Sequence, residues 1–124
     1  MKSKGYGSNL KMNPETYKLR REVIEIIYKL KSLVELPRIE VRINERPNGN
    51  QALAIAVLNE SVIYITEAMF GKFRPFLFEV VLHEIVHAVT GFGHDDKCPL
   101  MSPTIGKQPL SDDDAIRVFL TYFK

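Results

Sequence analysis

Apolar side chains in the first third of the chain recur at the spacing of one helical face. Between Leu19 and Val34 they lie mostly three or four residues apart, and charged residues fill the gaps. This spacing predicts an amphipathic helix. The preceding Asn13-Pro14-Glu15 is typical of a helix start, because asparagine caps the first turn and proline fits the first helical position. Pro37 predicts that the helix ends by Leu36.

Three short segments with strand character follow this helix. Residues 39–44, IEVRIN, alternate between apolar and polar side chains, which is typical of a strand with one buried face. The apolar segments 52–58 and 61–66 are separated only by Asn59-Glu60, and a connection this short predicts a hairpin. We therefore expect a small three-stranded, mixed sheet with an exposed edge strand.

A second helix, predicted between Pro75 and Gly91, is apolar on almost every side. Proline suits its first turn, and glycine suits a left-handed conformation at its end. A helix with so little polar surface is expected at the centre of the fold.

Residues 92–110 have the composition of an ordered loop, and a C-terminal helix follows them. Ser111 and the three aspartates after it predict the start of this helix, because serine caps the first turn and acids favour its positive end. The order of helices and strands predicts a single α+β domain over residues 1–124, in which residues 1–12 are flexible.

Composition and charge narrow the class of protein. A chain of 124 residues that is 45% hydrophobic can bury a core, and its single cysteine, Cys98, excludes an internal disulfide. No signal peptide and no apolar run of about 18 residues is recognisable, which predicts a cytoplasmic protein without a membrane partner. Residues 1–44 carry a net charge of +5 and residues 45–124 carry −3. This asymmetry favours a solvated helix face over a nucleic-acid site, because RNA-binding motifs are missing.

All three histidines of the chain fall within HEIVHAVTGFGH, residues 83–94. His83 and His87 are four residues apart, so on a helix they share one face with Cβ atoms about 5–6 Å apart. Two imidazoles in this arrangement can bind one Zn²⁺ at about 2.0–2.1 Å. Glu84 then lies beside the metal, where it can take a proton from an activated water. The pattern predicts a zinc cofactor and identifies Glu84 as the candidate catalytic residue.

A catalytic zinc usually has three protein ligands, so a third is expected in the loop after Gly91. His94 is the first candidate, since the glycine lets the backbone turn back towards the metal. Asp95 and Asp96 are the alternatives. No glutamate follows Glu84 in the chain, so a later helix cannot supply a glutamate ligand.

HEIVHAVTGFGH, followed by CPLMSP at residues 98–103, resembles the metzincin clan of zinc metallopeptidases. The signature of that clan is H-E-x-x-H-x-x-G-x-x-H with a methionine turn further on, and Leu100-Met101-Ser102-Pro103 is similar to that turn. The short chain is similar to the minimal single-domain members known from prokaryotes. It has three residues, Ala88-Val89-Thr90, where the clan has two, and one added helical residue rotates the exit by about 100°. The loop must compensate for this rotation if His94 is the third ligand.

The resemblance implies a zincin-like fold and a zinc-dependent endopeptidase that hydrolyses peptides or unfolded proteins. It implies that His83, His87 and His94 bind the metal and that Met101 forms an apolar floor below them. It further implies that substrate pairs with the edge strand, here about residues 52–57, and that residues 103–110 line a pocket beyond the scissile bond.

Two other functions are open at this point. One is a zinc-binding module without catalytic turnover, whose apolar edge strand pairs with a second copy to form latent homo-oligomers. The other is a basic binding protein that uses Lys18, Arg20 and Arg21 of the first helix, for which salt-dependent binding of DNA or RNA would be the sign.

Overall fold

A computed structural model describes residues 14–43, 54–57, 60–66, 69, 71–104 and 106–123. The predictions of flexible residues 1–12 and of an Asn13 cap lie outside these residues. The described residues form helices α1 (Pro14–Lys31), α2 (Leu77–Thr90) and α3 (Asp112–Thr121), and strands β1 (Glu40–Ile43), β2 (Ala54–Val57) and β3 (Val62–Ile65). The predicted α+β class is therefore confirmed.

Helix α1 buries the apolar face that its sequence predicts. Leu19, Val23 and Leu30 are fully buried, and they pack into the hydrophobic core. The helix ends at Lys31, within the limit set by the proline at position 37. The apolar spacing continues past this point because the next residues form a turn, in which the Val34 N–H donates to the Leu30 carbonyl at 3.0 Å and Val34 still packs against the core.

The three strands form one sheet in the order β1-β3-β2. Strand β1 runs parallel to β3, with Val41 opposite Ile63. Strand β2 runs antiparallel to β3, with Ala56 opposite Ile63, as expected for a hairpin. Ile63 and Ile65 are fully buried, so the sheet turns these side chains into the core. Strand β2 forms one edge of the sheet and packs against α2.

Helix α2 lies at the centre of the fold and packs against both other helices and against β2 and β3. A short 3-10 helix, Arg74–Phe76, contains Pro75 and leads into it. The helix ends at Gly91, which has the expected left-handed conformation with φ of 79°, and the Gly91 N–H donates to the His87 carbonyl at 3.1 Å. Nine of its residues are buried, and two of these, Glu84 and His87, are polar. Buried polar side chains need partners, and these two belong to the candidate site.

Helix α3 begins at the predicted position. Ser111 caps it, because the Ser111 hydroxyl accepts a hydrogen bond from the Asp114 N–H at 3.1 Å. Ala115 and Phe119 are fully buried, and the helix packs against α2. Within the described ranges, none of the helices combines the length and the apolar character needed to cross a bilayer.

Candidate metal centre

Helix α2 and the loop after it bring all three histidines together. The ring centroids of His83 and His87 are 4.6 Å apart, and the ring of His94 lies 5.1 Å and 4.8 Å from them. One potential ligand atom from each side chain lies within 4.8 Å of the others. These three residues are called the histidine cluster below. His87 is buried, His83 is half-buried and His94 is exposed, so the cluster opens to the surface on the side of the loop.

Two backbone carbonyls fix the orientation of the helical histidines. His83 Nδ1 lies 2.7 Å from the Leu100 carbonyl, and His87 Nδ1 lies 2.7 Å from the Phe92 carbonyl. A carbonyl oxygen only accepts hydrogen bonds, so each Nδ1 carries the proton and donates it. The Nε2 atom of each neutral ring is then a lone-pair acceptor, which is the form that binds metals.

The two Nε2 atoms face each other at 3.0 Å. With both Nδ1 atoms protonated, neither neutral ring has a proton to place between the Nε2 atoms, so their lone pairs repel. A cation between them removes that repulsion. Two ligands of a tetrahedral zinc ion at 2.0–2.1 Å are separated by about 3.3 Å, close to the observed spacing.

The rings of His83 and His87 are not readily protonated in this site. Burial lowers the pKa of His83 from 6.5 to about 4, opposed by its hydrogen bond to Leu100 and assisted by His87 and His94. Burial also lowers the pKa of His87, against the effect of its hydrogen bond to Phe92. Both rings are therefore neutral near pH 7 and ready to bind a metal ion.

The loop after α2 compensates for the additional helical residue. The hydroxyl of Thr90 donates to the Val86 carbonyl at 2.6 Å and accepts from the Phe92 N–H at 3.1 Å. Together with the left-handed Gly91, these bonds turn the chain sharply, so the Phe92 carbonyl reaches His87 and His94 joins the cluster. The rotation that put His94 in question is thus absorbed within three residues.

Asp95 and Asp96, the alternative third ligands, do not belong to the cluster. The carboxylate of Asp95 accepts a hydrogen bond from the Lys97 N–H at 3.0 Å, and the Asp95 N–H donates to the Met101 carbonyl at 2.9 Å. Asp95 therefore shapes the loop that carries His94.

Glu84 is a buried carboxyl beside the cluster. Its Oε2 lies 4.0 Å from His83 Nε2, and the side chain is 9% exposed. Among the described residues, nothing donates a hydrogen bond to this carboxyl, and burial raises its pKa from 4.5 to about 8. A buried carboxylate without a donor is costly, and a nearby metal cation would favour its ionised form.

Met101 is fully buried, and its loop is attached to the cluster through the backbone. The carbonyl of Leu100, the residue before it, accepts the bond from His83. The structure therefore places the predicted methionine turn directly against the first histidine.

A cavity of about 530 Å³ opens beside His83, Glu84 and His94. Ala54 of the edge strand β2 forms part of one wall. Pro103 and Thr104, from the segment expected to line a pocket, form part of another. The volume falls within the range of about 300–1,000 Å³ that is usual for small-ligand sites.

Sequence reasoning did not identify three contributors to this site. The Leu100 and Phe92 carbonyls are backbone groups, and no residue type signals their role. Glu79, which lines the cavity one helical turn before His83, had a usable signal: it is an acid within an apolar stretch. Searches with this sequence found no matching protein-family model and no matching curated protein.

Proposed function

We propose that the protein is a zinc-dependent endopeptidase of metzincin-like type. His83, His87 and His94 bind the metal, and Glu84 acts as the general base. The observation that carries this proposal is the pair of acceptor Nε2 atoms 3.0 Å apart beside a buried carboxyl. In an apolar setting, the two Nε2 lone pairs and a nearby carboxylate repel one another. A divalent cation bound between them would attract all three groups.

Zinc is the proposed metal because three imidazole ligands with a fourth position left for water form a typical catalytic zinc site. Imidazole also suits copper, iron and nickel, so the metal must be identified by measurement. The carbonyls of Leu100 and Phe92 support the proposal, since hydrogen bonds to the second ring nitrogen orient a ligand histidine and increase its basicity.

The residues around the cluster have separate tasks in peptide hydrolysis. Zinc held by the three histidines would supply Lewis-acid activation of a water molecule and of the peptide carbonyl. Glu84 takes the proton from that water at its carboxylate and passes it to the departing amine. His83 and His87 stay neutral and fixed during these transfers, because their Nδ1 protons are held by backbone carbonyls.

The substrate is an extended peptide or an unfolded protein segment. Strand β2 is at the sheet edge and contributes Ala54 to the cavity wall, so a peptide added to that edge would pass close to the histidine cluster. Main-chain hydrogen bonds to a sheet edge bind peptides with little dependence on sequence.

The test compares wild type with Glu84→Gln and with Glu35→Gln, which removes one exposed carboxylate outside the cavity. Metal content is measured by mass spectrometry, and cleavage of denatured casein is measured with zinc and with EDTA. We expect one zinc per chain in all three proteins and cleavage reduced roughly 10²–10⁴-fold in Glu84→Gln alone. Full cleavage by Glu84→Gln would refute the mechanism. One bound zinc without cleavage by wild type would favour the latent zinc-binding module.

A further inference from the structure

Glu79 is an acidic side chain in the wall of the cavity beside the histidine cluster. It lies four residues before His83 on α2, which places it about 6 Å along the helix axis on a neighbouring part of the same face. Most of the remaining wall is apolar. The apolar side chains that line this cavity are Ala54, Phe73, Val80, Pro99, Leu100 and Pro103.

One oxygen atom of the Glu79 carboxylate binds the backbone of the loop before α3. Its Oε1 accepts a hydrogen bond from the Leu110 N–H at 2.6 Å, which fixes the segment that leads into α3. This contact explains why the residue is acidic or amidic, but not why it is charged, because a glutamine would accept the same hydrogen bond through its amide oxygen.

No cation compensates the charge of Glu79 within the described part of the chain. No described lysine, arginine or histidine forms an ion pair with it. The nearest arginine or lysine along the chain, Arg74, pairs with Glu22 instead. Burial raises the pKa of Glu79, against the effect of its bond to Leu110, as expected for a carboxyl that lacks a cationic partner.

A second cavity, of about 340 Å³, shares Glu79, Pro99, Ser102 and Thr104 with the first. Its wall also includes one further acid, Asp96, and one cation, Lys97, neither of which lines the first cavity. Glu79 thus lines both cavities, and apart from Glu84 it is the one acid in the wall of the cavity beside the histidine cluster.

We propose that the cavity beside the histidine cluster binds the cationic side chain of a peptide, lysine or arginine, with Glu79 as the residue that selects it. The aliphatic stem lies against the apolar wall, and the charged end supplies the partner that the carboxylate lacks. A lysine stem of four carbons can span the single helical turn between the cluster and Glu79. This inference rests on the proposed function for the placement of the peptide beside the metal.

The test measures peptide binding without cleavage, in the zinc-loaded Glu84→Gln protein. Three pools of fluorescein-labelled hexapeptides carry lysine, norleucine or glutamate at a central position, with alanine, serine and glycine elsewhere. Norleucine has the same four-carbon stem as lysine without the ammonium group. Fluorescence anisotropy then gives the affinity of each pool in the parent protein and after adding Glu79→Gln or the charge-matched control Glu35→Gln.

We expect the lysine pool to bind roughly tenfold or more tightly than the norleucine pool, and the glutamate pool to bind most weakly. Adding Glu79→Gln should remove the preference for lysine, and adding Glu35→Gln should leave it. The proposal is wrong if norleucine binds as well as lysine, if the preference survives Glu79→Gln, or if no pool binds. The comparison of lysine with norleucine needs no Glu79 variant, so it stands even if that variant fails to fold.

The two proposals fail separately. Lysine-selective binding together with a wild-type protein that cleaves nothing would reject the endopeptidase and retain the cationic pocket. Cleavage by wild type without any preference for basic residues on either side of the cut bond would reject the pocket and retain the endopeptidase.

Discussion

The metal-free protein should lose stability as the pH rises from 6 to 9, and Glu84→Gln should remove most of that loss. Burial raises the pKa of the Glu84 carboxyl from 4.5 to about 8. Between these two values the folded state holds a proton that the unfolded state has released. The stability that this proton contributes is complete below pH 4.5 and is lost progressively as the pH approaches 8.

The size of this effect follows from the shift in pKa. A tenfold difference in proton affinity corresponds to about 1.4 kcal/mol, so the interval from 4.5 to 8 amounts to about 5 kcal/mol. About 3 kcal/mol of this loss falls between pH 6 and pH 9, a large part of the 5–15 kcal/mol that stabilises a typical domain. His83 acts in another range, because its pKa of about 4 lowers stability only as the pH falls below 6.5.

Urea denaturation in EDTA, followed by far-ultraviolet circular dichroism at pH 6, 7, 8 and 9, measures the free energy of unfolding. The advantage of Glu84→Gln over wild type should grow by about 3 kcal/mol across this range, whereas Glu35→Gln should show no such growth. Zinc should reduce the effect, because a nearby cation favours the ionised carboxylate. A difference between Glu84→Gln and wild type that stays constant from pH 6 to 9 would refute the view that Glu84 is buried without a donor.

Substitutions at three further positions test what supports the site and the fold around it. Gly91→Ala should lower the free energy of unfolding by about 1–2 kcal/mol, because φ is 79° at this position. It should also weaken zinc binding in a chelator competition, and an unchanged zinc affinity would mean that this turn does not position His94. Ser111→Ala should lower the free energy of unfolding, measured by urea denaturation, by about 1 kcal/mol. It should leave the zinc affinity unaltered, because it removes only the cap of α3. Because the Met101 side chain is fully buried, Met101→Ala should lower the free energy of unfolding by about 2–5 kcal/mol and Met101→Leu by less than about 1.5 kcal/mol. Equal losses would show that the volume of the side chain does not determine its contribution to stability.

Local signals in the sequence located most of the secondary structure. Proline and glycine mark the two ends of the central helix, and Ser111 marks the start of α3, because each acts within one turn of its own position. The parallel pairing of β1 with β3 had no such signal. It joins Val41 to Ile63 across more than twenty residues, and only the packing of the whole sheet decides it.

In the candidate site, too, local sequence signals predicted some contacts, and the three-dimensional fold decided others. The spacing of His83 and His87 on one helix was enough to predict that they meet. The place of His94 depended on the Thr90 hydroxyl and the conformation of Gly91, which together reverse the chain in a way that residue spacing does not reveal. Glu79 stands out in the sequence as an acid within an apolar stretch, but the cavity that it lines is formed by segments distant in sequence and became visible only in three dimensions.

The central claim is that the three histidines bind one metal ion. A crystal of the zinc-loaded protein, measured above and below the zinc absorption edge, tests it directly through the anomalous difference map. The account predicts one strong peak about 2.0–2.1 Å from Nε2 of His83, from Nε2 of His87 and from a ring nitrogen of His94. A map without a peak between these imidazoles, or a peak bound by Asp95 or Asp96 in place of His94, would contradict it.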